Sequence, residues 1–527
     1  MKSYERFGVT GEQLRALVAE GLRSGGDWCD LYFEDTAYHD LLLRDGEVGS
    51  GGYHVDYGCG IRVLKGEKTG YAYAESTDFQ SLFQAAKSAG AIACSASKAS
   101  FTPYAPAHHS EASAAIAGGM EAAVGSPDRS HPRLRKREGP DAEGVGRGPA
   151  QPDFWRLEQP RNEAEVIAGN FYPERLPWEN AEVAAFVPFL QRLEAGIRAR
   201  DSRVLKVVAV LSYSVSDVCM YNSLGELTSD HRPLGSISVQ VIFRQRGKTE
   251  NNTVSRSLRM GAEMICDEVL EDLVNRAVAG MDERFEAKRP KGGQMPVVMG
   301  AGASGILLHE AMGHAFEADF NRKGQSVFSD RMGQRICRPG INILDDGTLP
   351  RSRGACNFDD EGVPGQKTYM VTDGILTSYL HDRISAGFYG VPPTGNGRRE
   401  SFRYNPIPRM RATYMESGSD GTKEDLIASV RKGIYVDQFA NGQVKIGEGD
   451  FTFFVKSGFL IENGRLTMPV KDINIIGNGP QALADIHAVA GDLKVDEGTW
   501  TCGKEQSVAV SCGIPSVLIG NLTVGGE

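Results

Sequence analysis

This chain has no apolar run of the ~18 residues that a membrane-spanning helix needs, so a spanning segment is excluded. The N-terminus, Met1-Lys-Ser-Tyr-Glu-Arg-Phe-Gly8, lacks an apolar signal region, and export is not expected. The nine cysteines form no CxxC pair and are odd in number. That argues against a disulfide framework and for reduced thiols in the cytoplasm. Excess positive charge is also missing: 58 Lys and Arg stand against 68 Asp and Glu, for a net charge of -10. A nucleic-acid surface wants a basic face, so nucleic acid is not an expected partner.

What is present is an ordinary globular composition, 41% hydrophobic and 24% charged, over 527 residues. That length predicts two or three domains with sizeable cores. Residues 1–94 open with a helix capped by Thr10, with Gln13 completing a capping box. Strands are expected at Leu31–Thr36 and Leu41–Val48 around an Asp45-Gly46 turn, then at Ile61–Leu64 and Tyr71–Ala74, with a closing helix over Asp78–Ala93. Residues 95–165 are rich in Ala, Gly, Pro and Ser, carry the basic run Arg133–Arg137 and show no apolar period, which reads as a mobile, solvated insertion or linker. Residues 166–290 read as a middle α+β domain, with a helix over Phe186–Arg200, strands at Val204–Tyr213, Val218–Tyr221 and Ile237–Phe243, and one long amphipathic helix over Ala262–Phe285. Residues 291–527 read as a β-rich C-terminal domain, with a strand at Met295–Met299 and hairpin signals at Asp346-Gly347, Asp373-Gly374 and Asn463-Gly464. The fold class expected is α+β and multi-domain, with largely antiparallel sheets and packed helices.

The chemistry concentrates in Ser304-Gly-Ile-Leu-Leu-His309-Glu310-Ala-Met-Gly-His314, an HExxxH segment. Histidines offer neutral nitrogen ligands to zinc, and an adjacent carboxylate can serve as general base. In the familiar HExxH pattern the histidines are four apart on one helical face. Five steps of a regular helix rotate by about 140° and would point them apart. A wide π-type turn, with the backbone yielding near Gly313, would bring them together. A catalytic zinc site needs a third protein ligand. Glu317, Asp319, the acidic run Asp359-Asp360-Glu361, Cys502 and Cys512 are all candidates, and spacing alone does not choose among them. His381 and Arg383 are candidate oxyanion donors.

The segment from Gly302 to Asp319 resembles the signature of the TldD/PmbA metallopeptidase family, on the TldD side. Further matches follow in order: Asp359-Asp360-Glu361-Gly362, Pro408-Arg409-Met410 with Thr413-Tyr414, Ile475-Ile476-Gly477-Asn478-Gly479-Pro480, Thr501-Cys502-Gly503-Lys504, and Leu522-Thr523-Val524-Gly525-Gly526. The resemblance covers most of 1–94 and nearly all of 166–527. It implies His309, His314 and Cys502 as zinc ligands and Glu310 as general base. It also implies unfolded or extended peptides as substrates, and a PmbA/TldE-like paralogue as partner in a heterodimer, or else a homodimer. The 95–165 stretch departs from the family pattern, where a shorter connection is expected.

An open sheet edge can bind an extended peptide through its backbone, and Gln443–Val455 is the expected place for one. Two other function classes compete. Gly300-Ala-Gly302-Ala-Ser-Gly305 is a GxGxxG between a strand and a helix, the fingerprint of a nucleotide-dependent oxidoreductase. The downstream hairpins speak against it, because that fold wants βαβ units. The other is a non-catalytic, partner-dependent peptide-binding subunit, against which the intact His309, Glu310 and His314 stand.

Overall fold

The computed structural model describes residues 3–95, 169–445 and 448–526. The expected insertion at 95–165 lies, but for Ser95, outside the described residues. The fold is α+β with several cores and mainly antiparallel sheets. Among the described residues no helix is long and apolar enough to cross a membrane.

The first sheet has six antiparallel strands. β1 (Trp28–Arg44), β2 (Glu47–Lys65) and β3 (Lys68–Ala74) join β4 (Val204–Asn222), β5 (Leu227–Gln245) and β6 (Lys248–Leu258) in the order β3-β2-β1-β4-β5-β6. Asp45 and Gly46 take φ of 49° and 87°, the left-handed pair that a tight two-residue hairpin requires between β1 and β2. The strands are longer than the alternation suggested: Leu31–Thr36 and Leu41–Arg44 belong to one strand, as do Val204–Tyr213 and Val218–Tyr221. β1 pairs with β4 from Asp30 opposite Asn222 to Arg44 opposite Val208, so the first and middle stretches share a sheet.

Each end of that sheet has its own core. Helices α1 (Gly11–Leu22) and α2 (Phe79–Cys94) cover Leu31, Phe33, Ile61 and Val63. Helices α3 (Val187–Arg200) and α4 (Asp267–Val278) cover Leu41, Leu43, Val207 and Val239. The Thr10–Gln13 capping box forms at the start of α1. The single helix expected over Ala262–Phe285 is instead a 3-10 turn at Ala262–Met264, then α4, then α5 (Met281–Glu286). Gly280 takes φ 68°, a left-handed conformation that ends α4 and restarts the chain.

In the C-terminal part, strand β7 (Gly293–Met299) pairs with Lys432–Val444 on one side and with Val517–Gly525 on the other. The pairing continues through Asn474–Asn478 to Asp450–Glu462 and back to Lys432–Val444, closing a ring of strands. Phe451–Phe454 is therefore paired on both flanks, with Gln443–Val444 and neighbours on one and Asn474–Gly477 on the other. The open edge expected over Gln443–Val455 is confined to its Gln443–Val444 end, and among the described residues it runs back along that strand to Gln438. Hairpins form at Asp373-Gly374 and Asn463-Gly464. Asp346-Gly347 forms none: the Asp346 side chain accepts from the backbone N–H and hydroxyl of Thr348, and the chain leaves the sheet.

Candidate metal centre

The motif helix α6 (Gly305–Ala311) begins directly after the turn that follows β7. A Cβ on Gly305 would lie 2.6–2.8 Å from backbone atoms of Gly513, so this glycine lets the helix rest on the strand Ser511–Ile514. Gly300 and Gly302 lie against the Tyr435 and Lys494 side chains, so the glycines of this run are occupied by packing within the protein.

The wide π-type turn is not what joins the histidines. α6 stops at Ala311, Met312 takes φ −128° and ψ −46°, and a 3-10 turn over Gly313–Phe316 carries His314. A Cβ on Gly313 would fall 2.2 Å from the Met410 sulfur, so a side chain here would force buried Met410 to move where the chain re-enters a helical turn. The break replaces the 140° divergence of a regular helix, and the two imidazole rings meet edge to face with centroids 5.2 Å apart.

Cys502 completes the group. It lies on the hairpin of Thr501–Lys504 with Gln506–Ala509. Arg409, fully buried, donates from its guanidinium to the carbonyls of Cys502, Lys504 and Gln506, and so seats that hairpin. Cys502 Sγ is 3.3 Å from His314 Nε2. Ligand atoms of His309, His314 and Cys502 lie within 4.8 Å of one another, and all three residues are buried. Burial pushes the Cys502 thiol up, but the two histidines beside it more than reverse this and bring it down to about 4, favouring thiolate. His309 is 1% exposed, and its ring nitrogens have no hydrogen-bond partner beyond the Cys502 thiol that converges with them. A buried polar atom without a partner is costly, and a metal ion is one way to satisfy it. Two imidazoles and one thiol at this spacing suit zinc, whose bonds to N and S are about 2.0–2.3 Å. Glu310 is the least enclosed member, 23% exposed, with Oε2 3.8 Å from His314 Nε2.

The other candidate ligands lie elsewhere. Glu317 is buried on the far side of the His314 ring, with Oε2 2.8 Å from Nδ1. Burial raises this carboxyl, but Lys504 and His314 outweigh it and hold it well below the usual range. Asp319 accepts from Lys504 Nζ at 2.8 Å. Asp360 and Glu361 are ion-paired with Arg232 and Arg62, both at 2.6 Å, while Asp359 accepts from the backbone of Glu361, Val363 and Gly397. Cys512 sits in the strand beside α6 with its thiol pushed well up, by burial and then by Asp496 and Glu310. Of the oxyanion candidates, Arg383 lies over the Trp28 ring and donates to the Glu361 carbonyl. His381 is buried, with Nδ1 unpaired and burial lowering it to about 4. The His314–Glu317–Lys504 contact escaped the sequence reading, although the 3-10 turn makes it intelligible: side chains at i and i+3 eclipse in such a turn.

Family models described as PmbA/TldA metallopeptidase domain 1, central domain and C-terminal domain match residues 29–93, 176–281 and 292–526. A Haemophilus influenzae protein named "Metalloprotease TldD homolog" is 35% identical, covering 95% of this chain and 93% of its own. A Saccharolobus solfataricus protein named "Zinc metalloprotease TldD homolog" is 32% identical over 55% of this chain and 65% of its own. The solved structure of TldE from Thermococcus kodakarensis shares the fold, with a TM-score of 0.67 at 18% identity over 98% of this chain and all of that one.

Proposed function

The chain belongs to the PmbA/TldD metallopeptidase family, and from that premise we propose that it is a zinc-dependent peptidase acting on unfolded or extended peptides. In this reading His309, His314 and Cys502 hold the zinc and Glu310 is the general base. The observation that carries it is the convergence of these three side chains around a buried His309 with no other partner for its nitrogens. Zinc held there would act as a Lewis acid, polarising the scissile carbonyl and lowering the pKa of a water towards about 7.

The chain's own residues do the rest. Glu310 Oε2 takes a proton from the attacking water and passes it to the leaving amine nitrogen. Its partial exposure lets substrate reach it, while the burial of His309, His314 and Cys502 keeps bulk water from the ligands. The free flank of Gln438–Val444 would take the peptide backbone as an added strand, giving binding with little side-chain preference. In this reading 1–94 is an N-terminal α+β domain, 95–165 an insertion or linker, 166–290 a middle α+β domain and 291–527 the metallopeptidase domain, the location is cytoplasmic, and a PmbA/TldE-like paralogue or a second copy is the partner.

Elemental analysis of wild type and Cys502→Ala, dialysed side by side, tests the reading. About one zinc per chain in the wild type and a large loss in the variant is expected. No zinc in either protein would overturn it, and the peptide-binding subunit without catalysis would replace it.

A further inference from the structure

We propose that Glu317 and Lys504 act as positioning residues for the metal centre, Glu317 by fixing the His314 ring through Nδ1 and Lys504 by holding the Glu317 carboxylate in place. The inference rests on the proposed His309/His314/Cys502 site. His314 Nδ1 and Glu317 Oε2 are 2.8 Å apart, and Lys504 Nζ donates to the same oxygen at 3.0 Å. Glu317 Oε1 accepts from the Met410 N–H at 3.3 Å. The three side chains are 0–2% exposed, so no water competes for these contacts.

The geometry assigns each member a task. A carboxylate on Nδ1–H fixes the tautomer and the orientation of an imidazole, and here it leaves Nε2 towards Cys502. Glu317 is thereby spent on the ring face away from Cys502, which removes it as a competing ligand. A lone buried carboxylate would be unstable there, and Lys504 supplies the opposite charge. Lys504 comes from the strand that carries Cys502, two residues on, so both side chains project from one face of the hairpin and are buried while Gly503 between them is exposed. Seating the hairpin delivers one ligand and the charge that steadies another. Asp319 and Pro408 O take the remaining bonds of the ammonium, fixing its direction. This accounts for the lysine of the Cys-Gly-Lys segment, which the ligand set alone leaves unexplained.

The test is zinc affinity, by competition with a chromophoric chelator, for wild type, Glu317→Gln, Lys504→Met, the double variant and Lys504→Arg, with circular dichroism as the folding control. Each single neutral variant should bind zinc about 10–100-fold more weakly, the range for lost outer-shell partners. The double variant should be no weaker than the worse single, because Lys504 acts through Glu317. Lys504→Arg keeps the charge and should recover part of the loss, and it guards against a mere folding failure. Affinities within twofold of wild type, or fully additive losses in the double variant, would overturn the proposal. Zinc present in wild type and lost in Cys502→Ala, with Glu317→Gln unchanged, would refute this inference alone. Absence of zinc from wild type would refute the site itself.

Discussion

Two buried polar clusters in this protein differ in one respect. At the joint between the six-stranded sheet and the C-terminal part, Arg62 meets Asp30 and Glu361, and Arg232 meets Asp230 and Asp360. Every carboxylate there has a cation or a backbone N–H facing it. At the histidine–cysteine cluster, Glu317 and Lys504 are also paired, but the nitrogens of His309 have no partner outside the cluster itself. Buried charge that is fully paired serves architecture, and buried polar atoms left open mark a place for something else. Both regions drew attention as acidic or ligand-bearing motifs in the sequence, and only pairing separates them.

The comparison breaks most readily at Glu310. Glu310→Gln should keep its zinc while peptide hydrolysis falls about 10²–10⁴-fold, the usual worth of a positioned general base. Metal loss in that variant would mean that its role is misassigned. At the joint, Arg62→Met should cost about 3–5 kcal/mol in urea denaturation, because it strands two buried carboxylates, yet leave zinc per folded chain unchanged. Loss of zinc at unchanged stability would put the joint in the site. Glu34 sharpens the contrast further. Burial raises its carboxyl to about 7, against a usual value of 4.5, although Thr36 and the Phe402 N–H bind it. The folded state therefore holds a proton that the unfolded state releases between these values. Its stabilising contribution is full below about 4.5 and is lost as pH rises towards 7. Glu34→Gln should remove that decline from the pH profile of the urea midpoint, on the order of 1–3 kcal/mol. An unchanged profile would refute the assignment. The smallest effect is expected at Cys512→Ala, with zinc unchanged and a stability loss of about 1 kcal/mol from a lost buried thiol.

Local periodicity and turn chemistry made much of the fold legible. Alternation located the strands, Asp45-Gly46 and Asn463-Gly464 located tight hairpins, and Thr10 located a helix start. Long strands were read as pairs, because a strand that crosses from one core to another interrupts its own pattern, as β1 does between Phe33 and Leu41. The helix break at Gly280 leaves no mark in the sequence pattern, because amphipathic spacing survives it. The open edge was placed too far along because Phe451–Phe454 gives no local sign of its second neighbour.

His309, Glu310 and His314 are close in sequence, and their residue types alone marked the segment as a candidate metal-ligand motif. Family resemblance pointed to Cys502, 188 residues beyond His314, and physics applied to the sequence could not choose it over Cys512. Only the tertiary structure decided that choice of neighbour, because the Arg409 contacts seat the hairpin of Cys502 against the histidines while Cys512 stays within a sheet. Tertiary packing likewise turned Glu317 to the far nitrogen of His314. A ligand's chemistry belongs to its residue type, but which atoms lie within bonding distance depends on contacts between segments far apart in the chain.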